Sequence, residues 1–264
     1  MSSDTQGPNV KVARTRRNVI RMGAIGASAV VADLGTINRG KAGHHWGWGH
    51  CLLKGTTIRT ASGTRKIEDL AVGDRLPTMF ARTRPIQWIA HYPIKKSDPS
   101  KPWPKDARPV RIARSALAPN VPEADLYVTQ AHGVFIDDVL VSAGYLVNET
   151  TITLCEMNGV SELEFFHIKL ENHDVIYAEG APVESLLDVD ESTVNFADYF
   201  RMHGMPKGDE APCLPFLSNW RRGGLKSRIN SAISWNNRRK RIAAIRERLK
   251  ERAIALSRQL EPTL

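Results

Sequence analysis

The stretch Cys51-Leu-Leu-Lys-Gly-Thr-Thr-Ile-Arg-Thr-Ala-Ser-Gly-Thr-Arg-Lys-Ile-Glu-Asp-Leu-Ala-Val-Gly-Asp74 decides how this chain is read. Thr56-Thr-Ile-Arg-Thr60 alternates like a strand, and Ser62-Gly63 closes it with a turn. Lys66-Ile-Glu-Asp-Leu70 fits one helical turn, and Val72-Gly-Asp74 a further turn. Upstream lies His44-His-Trp-Gly-Trp-Gly-His50, a glycine-spaced segment that leaves the backbone around the 50–51 peptide accessible. Cys51 therefore reads as the first residue of a folded domain and as its candidate nucleophile.

Downstream, short apolar runs follow one another. Arg84 to Tyr92 alternates, with Ile86, Trp88 and Ala90 on one face. Val110–Ala113, Leu126–Thr129, Val134–Ile136, Val139–Val141, Ile152–Leu154, Leu163–Ile168 and Val175–Tyr177 come after it. Strands at this spacing, broken by Gly, Pro, Asp and Asn, predict an all-β domain. Lys95 to Pro109 carries four prolines and several lysines and is expected to be a surface loop. No glycine-rich phosphate loop and no strand–helix alternation is present.

The chain has 264 residues, 42% of them hydrophobic, which is enough for a core. Its net charge of +9 is unevenly spread. Residues 221–264 hold thirteen Lys/Arg against three Asp/Glu, and residues 1–50 hold seven against two. The body between them is mildly acidic, so the basic character belongs to the ends. Three cysteines at irregular spacing, Cys51, Cys155 and Cys213, form neither a disulfide framework nor a zinc pattern. One functional thiol with two structural ones is the simpler reading. The histidines of 44–50 could hold a soft metal, but a linker is the preferred reading, and neither a metal nor a cofactor is expected. No run of 18 apolar residues appears.

Several blocks together resemble a known family. Cys51, Gly55-Thr56, Gly63, Ile67-Glu-Asp-Leu70 and Val72-Gly-Asp74 are similar to the opening of the Hint module of hedgehog autoprocessing domains and inteins. Thr129-Gln-Ala-His132 resembles its Thr-x-x-His block. Phe166 to Gly180, with His167 and His173, resembles its later strand pair. Pro85–His91 and Pro182-Val-Glu-Ser185 are similar to a bacterial branch. The resemblance spans about residues 51–190. It implies a compact horseshoe of β-hairpins, to which the basic tail adds a separate C-terminal amphipathic helix.

The resemblance also implies a chemistry. Cys51 Sγ attacks the carbonyl of His50 and turns a peptide into a thioester, in a single turnover if the protein is active. The substrate is then the protein's own N-terminal segment. A thiol suits this step, because its thioester can be resolved by a second nucleophile. The amide is protected by resonance, so the oxyanion needs fixed donors. His132 would protonate the departing Cys51 amine, and Thr129 would supply a hydroxyl or backbone donor to the same peptide. His167 stands where many inteins carry an aspartate, and His173 matches the later-block histidine; both are candidate supporting groups. The chain holds no His-Asn pair followed by Cys, Ser or Thr. Cleavage or acyl transfer at 50–51, without splicing, is the expectation. A catalytically silent binding or adhesion module is the alternative.

The expected organisation is a leader over 1–50, the β domain over 51–200, a linker over 201–223 and a helical tail over 224–264. Thr15-Arg-Arg-Asn-Val-Ile-Arg21, followed by an apolar small-residue stretch, resembles a twin-arginine export signal. It suggests a periplasmic or secreted protein, and a cytoplasmic one if the signal is silent. In the tail, Ile242, Ile245, Leu249, Ala253, Leu256 and Leu260 recur at helical spacing opposite Arg238-Arg-Lys-Arg241, Arg246, Arg248, Lys250 and Arg252. Such a helix could pack on its own domain, lie on an anionic membrane or self-associate. Nucleic acid is the partner with least support.

Overall fold

The computed structural model describes residues 49–189, 196–204, 213, 216–217 and 231–260, with the backbone alone at 196, 216–217, 231–238 and 259–260. The expected leader as far as residue 48, with its export signal, and most of the expected linker lie outside the described residues.

Two seven-stranded sheets carry the body. The first contains β1 (Leu52–Leu53), β4 (Arg75–Leu76), β5 (Arg84–Lys95), β6 (Val110–Ile112), β7 (Leu126–Val128), β10 (Ile152–Leu154) and β11 (Glu162–Leu170). Its strand order is β10-β6-β7-β1-β11-β5-β4. The second contains β2 (Thr57–Thr60), β3 (Gly63–Lys66), β8 (Gly133–Ile136), β9 (Val139–Ser142), β12 (Val175–Ala178), β13 (Ala181–Glu184) and β14 (Phe216–Leu217). Its order is β14-β9-β8-β13-β12-β2-β3. Among the described residues, the pairings between these strands are antiparallel except the parallel pair β14 and β9. The all-β reading therefore holds. Ile67–Asp69 forms the expected single turn, as a 3-10 helix.

The longest ladder joins β5 to β11, and its alternation buries Ile86, Trp88 and Ala90 against the interior. The two-residue β1 lies between β7 and β11, with Leu52 opposite both Val128 and Phe166. Side chains alternate along each strand, so register decides what faces what. One residue upstream, the same antiparallel count sets Cys51 opposite Thr129 on one side and His167 on the other. In the second sheet, β12 and β13 are joined by Glu179-Gly180, both at positive φ. Gly180 sits at a φ of +73°, a conformation that strains any residue with a Cβ. Val183 of β13 pairs with Val134 of β8, which brings Glu184 alongside Gly133.

The Lys95–Pro109 segment departs from the surface-loop expectation. Its first residue ends β5, and Trp103 within it is buried at 2% exposure, donating Nε1–H to Val160 O at 2.9 Å. Prolines and lysines marked an exposed backbone correctly, but one indole turns inward to close an apolar cluster.

Short helices were not legible beforehand: α1 (Ala143–Leu146) follows β9 directly, and α2 (Phe196–His203) sets Tyr199 edge-on to Trp88 at 5.4 Å. The long helix α3 (Ser231–Leu260) is the expected C-terminal helix. Its Ile245 and Leu249 join the main core cluster, and Ala253 is also buried. Basic residues beside that stripe fasten it to the body. Arg248 pairs with the Asp137 carboxylate at 2.7 Å, Arg241 donates to Asp137 O, and Arg252 donates to Ser115 O at 2.6 Å. Asp137 and Asp138 form the positive-φ turn between β8 and β9, so this ion pair ties α3 to the hairpin that follows His132. Among the described residues, no helix is long and apolar enough to cross a membrane.

Burial assigns the energy of this docking. Leu249→Ala removes a fully enclosed side chain and is expected to lower the unfolding free energy by about 3 kcal/mol. Arg248→Ala breaks a half-exposed ion pair and is expected to cost less than about 1 kcal/mol. Urea denaturation of the two variants checks the ranking.

Candidate functional site

The site is built on the 50–51 peptide. Gly49, His50 and Cys51 run into β1, and Thr129 follows the end of β7 beside them. The Thr129 hydroxyl accepts the Cys51 N–H at 2.9 Å and donates to Gly49 O at 2.6 Å. Thr129 N–H in turn donates to Cys51 O at 2.9 Å. One residue thus clamps the chain on both sides of His50. The expectation that Thr129 donates to the scissile peptide needs correction: its hydroxyl accepts from that amide, because its proton is committed to Gly49 O.

His132 is reached through a tight turn, in which its N–H donates to Thr129 O at 3.1 Å. Its imidazole is wholly buried, and neither ring nitrogen has a well-formed hydrogen bond. Such a group is rare in a folded interior. The main chain of His50 is its polar neighbour and favours the protonated ring. His167, from β11, is also buried, with its ring 5.3 Å from that of His132 and parallel to that of His50 at 6.3 Å. Cys51 is 2% exposed and packs among Trp103, Ala107, Leu163 and Phe165. Four of the expected residues, Cys51, Thr129, His132 and His167, therefore meet around one peptide.

His173 stands one step back. Its Nε2 lies 3.6 Å from Glu184 Oε2, and its Nδ1 accepts the Cys213 N–H at 3.0 Å. Cys213 thus contributes through its main chain, and Cys155 N–H donates to Pro109 O. All three cysteines are free thiols. Glu184 is the residue that sequence reasoning missed. It is 3% exposed, and its Oε1 accepts from Gly133 N and from His50 Nδ1, each at 2.5 Å. Its sequence signal is its place in the block Pro182-Val-Glu-Ser185.

Burial dominates the electrostatics. It pushes the Cys51 thiol well up, and the Glu184 charge pushes it further the same way, so the resting thiol is neutral. Burial lowers His132 to about 4; the Glu184 carboxylate opposes this shift and His50 adds to it. His167 is also held well below its ordinary value, first by burial and then by His132. Burial alone would raise Glu184, but His50 and His173 outweigh it and keep the carboxyl well below the usual range. The resting site is thus a neutral thiol, neutral His132 and His167, and an ionised carboxylate. Among the described residues no His, Cys, Asp and Glu group has the arrangement of a metal site.

The family model for the Hint domain matches residues 50–190, the span that holds His50, Cys51, Thr129, His132, His167, His173 and Glu184. The chain belongs to the Hint domain family. Among solved structures, the bacterial intein-like domain from Clostridium thermocellum is 14% identical, with a TM-score of 0.36, and the match covers 52% of this chain and 98% of that one. The MchDnaB-1 intein (N145AA) is 14% identical at a TM-score of 0.35, covering 51% and 99%. The gp41-1 intein is 13% identical at a TM-score of 0.34, covering 51% and 98%. A search of curated proteins found no match. The family assignment rests on the Hint model and on the blocks that carry it.

The buried neutral His132 makes the Hint fold acid-sensitive. A histidine whose folded value is depressed contributes stability above its unfolded value of 6.5 and loses it as pH falls through about 4. That difference amounts to about 3 kcal/mol. In a Cys51→Ala background unfolding free energy is expected to fall between pH 6.5 and 4. His132→Gln should flatten that slope. Equal slopes with and without His132 would refute the assignment.

Proposed function

We propose that this Hint domain processes its own chain at the bond between His50 and Cys51. The observation that carries the reading is the clamped 50–51 peptide lying beside a buried imidazole with no well-formed hydrogen bond. Cys51 Sγ attacks the His50 carbonyl carbon. The thiol proton passes to His132, which is neutral and can accept it. The tetrahedral intermediate collapses as His132 returns that proton to the Cys51 nitrogen. The C–N bond breaks, a C–S bond is left, and the amine of Cys51 is freed. Water, a thiol or an amine then attacks the thioester, releasing the segment that ends at His50 and restoring the thiol.

Thr129 supports the first step by fixing the peptide that must be attacked. Its hydroxyl can keep hydrogen-bonding the nitrogen after that nitrogen becomes an amine. Buried Glu184 favours the imidazolium that forms transiently on His132. The absence of a His-Asn pair followed by Cys, Ser or Thr limits the reaction to cleavage or acyl transfer. The same reading takes Thr15–Arg21 as an export signal, on the strength of its sequence.

One observation favours the second reading, a silent Hint module used for binding. The thiol is held neutral both by burial and by Glu184, so forming the thiolate is uphill. Intact mass of the purified chain, with and without dithiothreitol or hydroxylamine, separates the two. The active reading expects a fragment beginning at Cys51, accelerated by either nucleophile. Cys51→Ala should abolish it, and His132→Ala should slow it by about 100-fold or more. A chain that stays whole in both nucleophiles, as Cys51→Ala does, leaves the silent module standing.

A further inference from the structure

We propose that Glu184 reads the side chain that precedes the cysteine, so that the domain accepts histidine or another hydrogen-bond-donating cationic residue at position 50 and rejects an acidic one. The inference rests on the cleavage reading above and names the substrate preference of that site.

The residues preceding Cys51 are held at two kinds of contact. The first is main chain and blind to sequence: Thr129 grips Gly49 O and Cys51 N. The second is a side-chain contact. His50 Nδ1 reaches Glu184 Oε1 at 2.5 Å, although the His50 side chain remains 30% exposed and the carboxylate only 4%. A partly open residue thus extends its polar end onto a closed carboxylate. Position 49 offers no comparable discrimination. A Cβ there would meet Cys51 Sγ at 3.7 Å and Tyr92 Oη at 4.0 Å, both ordinary contacts.

The carboxylate is not free to turn away. Gly133 N–H, at the start of β8, holds the same Oε1 at 2.5 Å. The other oxygen faces His173 Nε2 at 3.6 Å, and His173 is itself held by the Cys213 N–H. The His50 ring also lies parallel to His167 at 6.3 Å, which favours a flat ring at this position. A buried carboxylate that loses a donor is left with part of its charge unsolvated, and a second carboxylate there would repel it. Residue 50 therefore has to complete the set of donors around Glu184. In this arrangement Glu184 is a specificity-determining residue, distinct from the groups that touch the reacting atoms.

The test uses the full chain, with histidine, lysine, alanine and glutamate placed in turn at position 50. Cleavage is followed by intact mass after dithiothreitol. His50→Ala is expected to slow cleavage by about 10–100-fold, the size of a hydrogen bond to a charged group. His50→Glu should slow it more than His50→Ala does, and His50→Lys less. Glu184→Gln keeps an acceptor for Gly133 N–H while removing the charge. It should restore at least part of the rate lost in His50→Glu and weaken the effect of His50→Ala. Glutamate cleaved as fast as histidine overturns the proposal. So do effects of His50→Ala and Glu184→Gln that simply multiply, since Glu184 would then act only through His132. A second readout does not need cleavage: thermal melts of the same pair of substitutions in a Cys51→Ala background. Non-additive melts support the contact, and additive melts overturn it. If no variant cleaves, wild type included, the cleavage reading fails, and the melts alone decide whether Glu184 reads residue 50.

Discussion

A two-residue strand sets the geometry of this protein. β1 is only Leu52–Leu53, yet it is gripped between β7 and β11. Strands β7 and β11 lie far apart in sequence, and neither can present its polar end to the other without β1 between them. Once Leu52 pairs with Val128 and Phe166, antiparallel register leaves no freedom for Cys51. It must lie between Thr129 and His167, at the end of the ladder, with its upstream peptide leading out. A slip by one residue would turn Cys51 to the opposite face and separate it from both.

Closing that arrangement from water has an electrostatic consequence. The apolar cluster of Trp103, Leu163 and Phe165 beside Cys51 excludes solvent and opposes charge on the thiol. The same exclusion keeps His132 and His167 neutral. Glu184 keeps its charge there, because Gly133 N–H and two histidines surround it. The resting site is thus uncharged at Cys51, His132 and His167, and Thr129 fixes the 50–51 peptide within it. Docking of α3 through Ile245 and Leu249 extends the core behind the β8–β9 hairpin, and so supports the strand that carries Gly133 to Glu184.

Much of this was visible in order along the chain. The alternation of Arg84 to Tyr92 and the short apolar runs after it marked strands, because period-two burial leaves a direct trace in residue type. The two-residue strands escaped notice, since Leu52–Leu53 and Arg75–Leu76 are too short to show any period. α1 escaped for a similar reason, being a single turn. Trp103 hid in a stretch whose prolines and lysines described its backbone and not its inward side chains. Glu184 hid because a single glutamate in a strand is ordinarily solvent-facing, and only its neighbours reveal that it is enclosed.

The sequence by itself determined the chemistry available: one cysteine after a glycine-spaced segment, a Thr-x-x-His block, two further histidines, and the order of blocks that marks a Hint domain. Those are properties of residue type and local spacing, and they need no fold to be read. The tertiary structure decided which of these groups meet, in which protonation state, and through which atoms. Thr129 accepts the amide it was expected to donate to, His173 stands behind Glu184, and Glu184 enters the site at all. Those outcomes depend on the register between distant strands and on the loss of water around them, and neither is written in any single stretch of the chain.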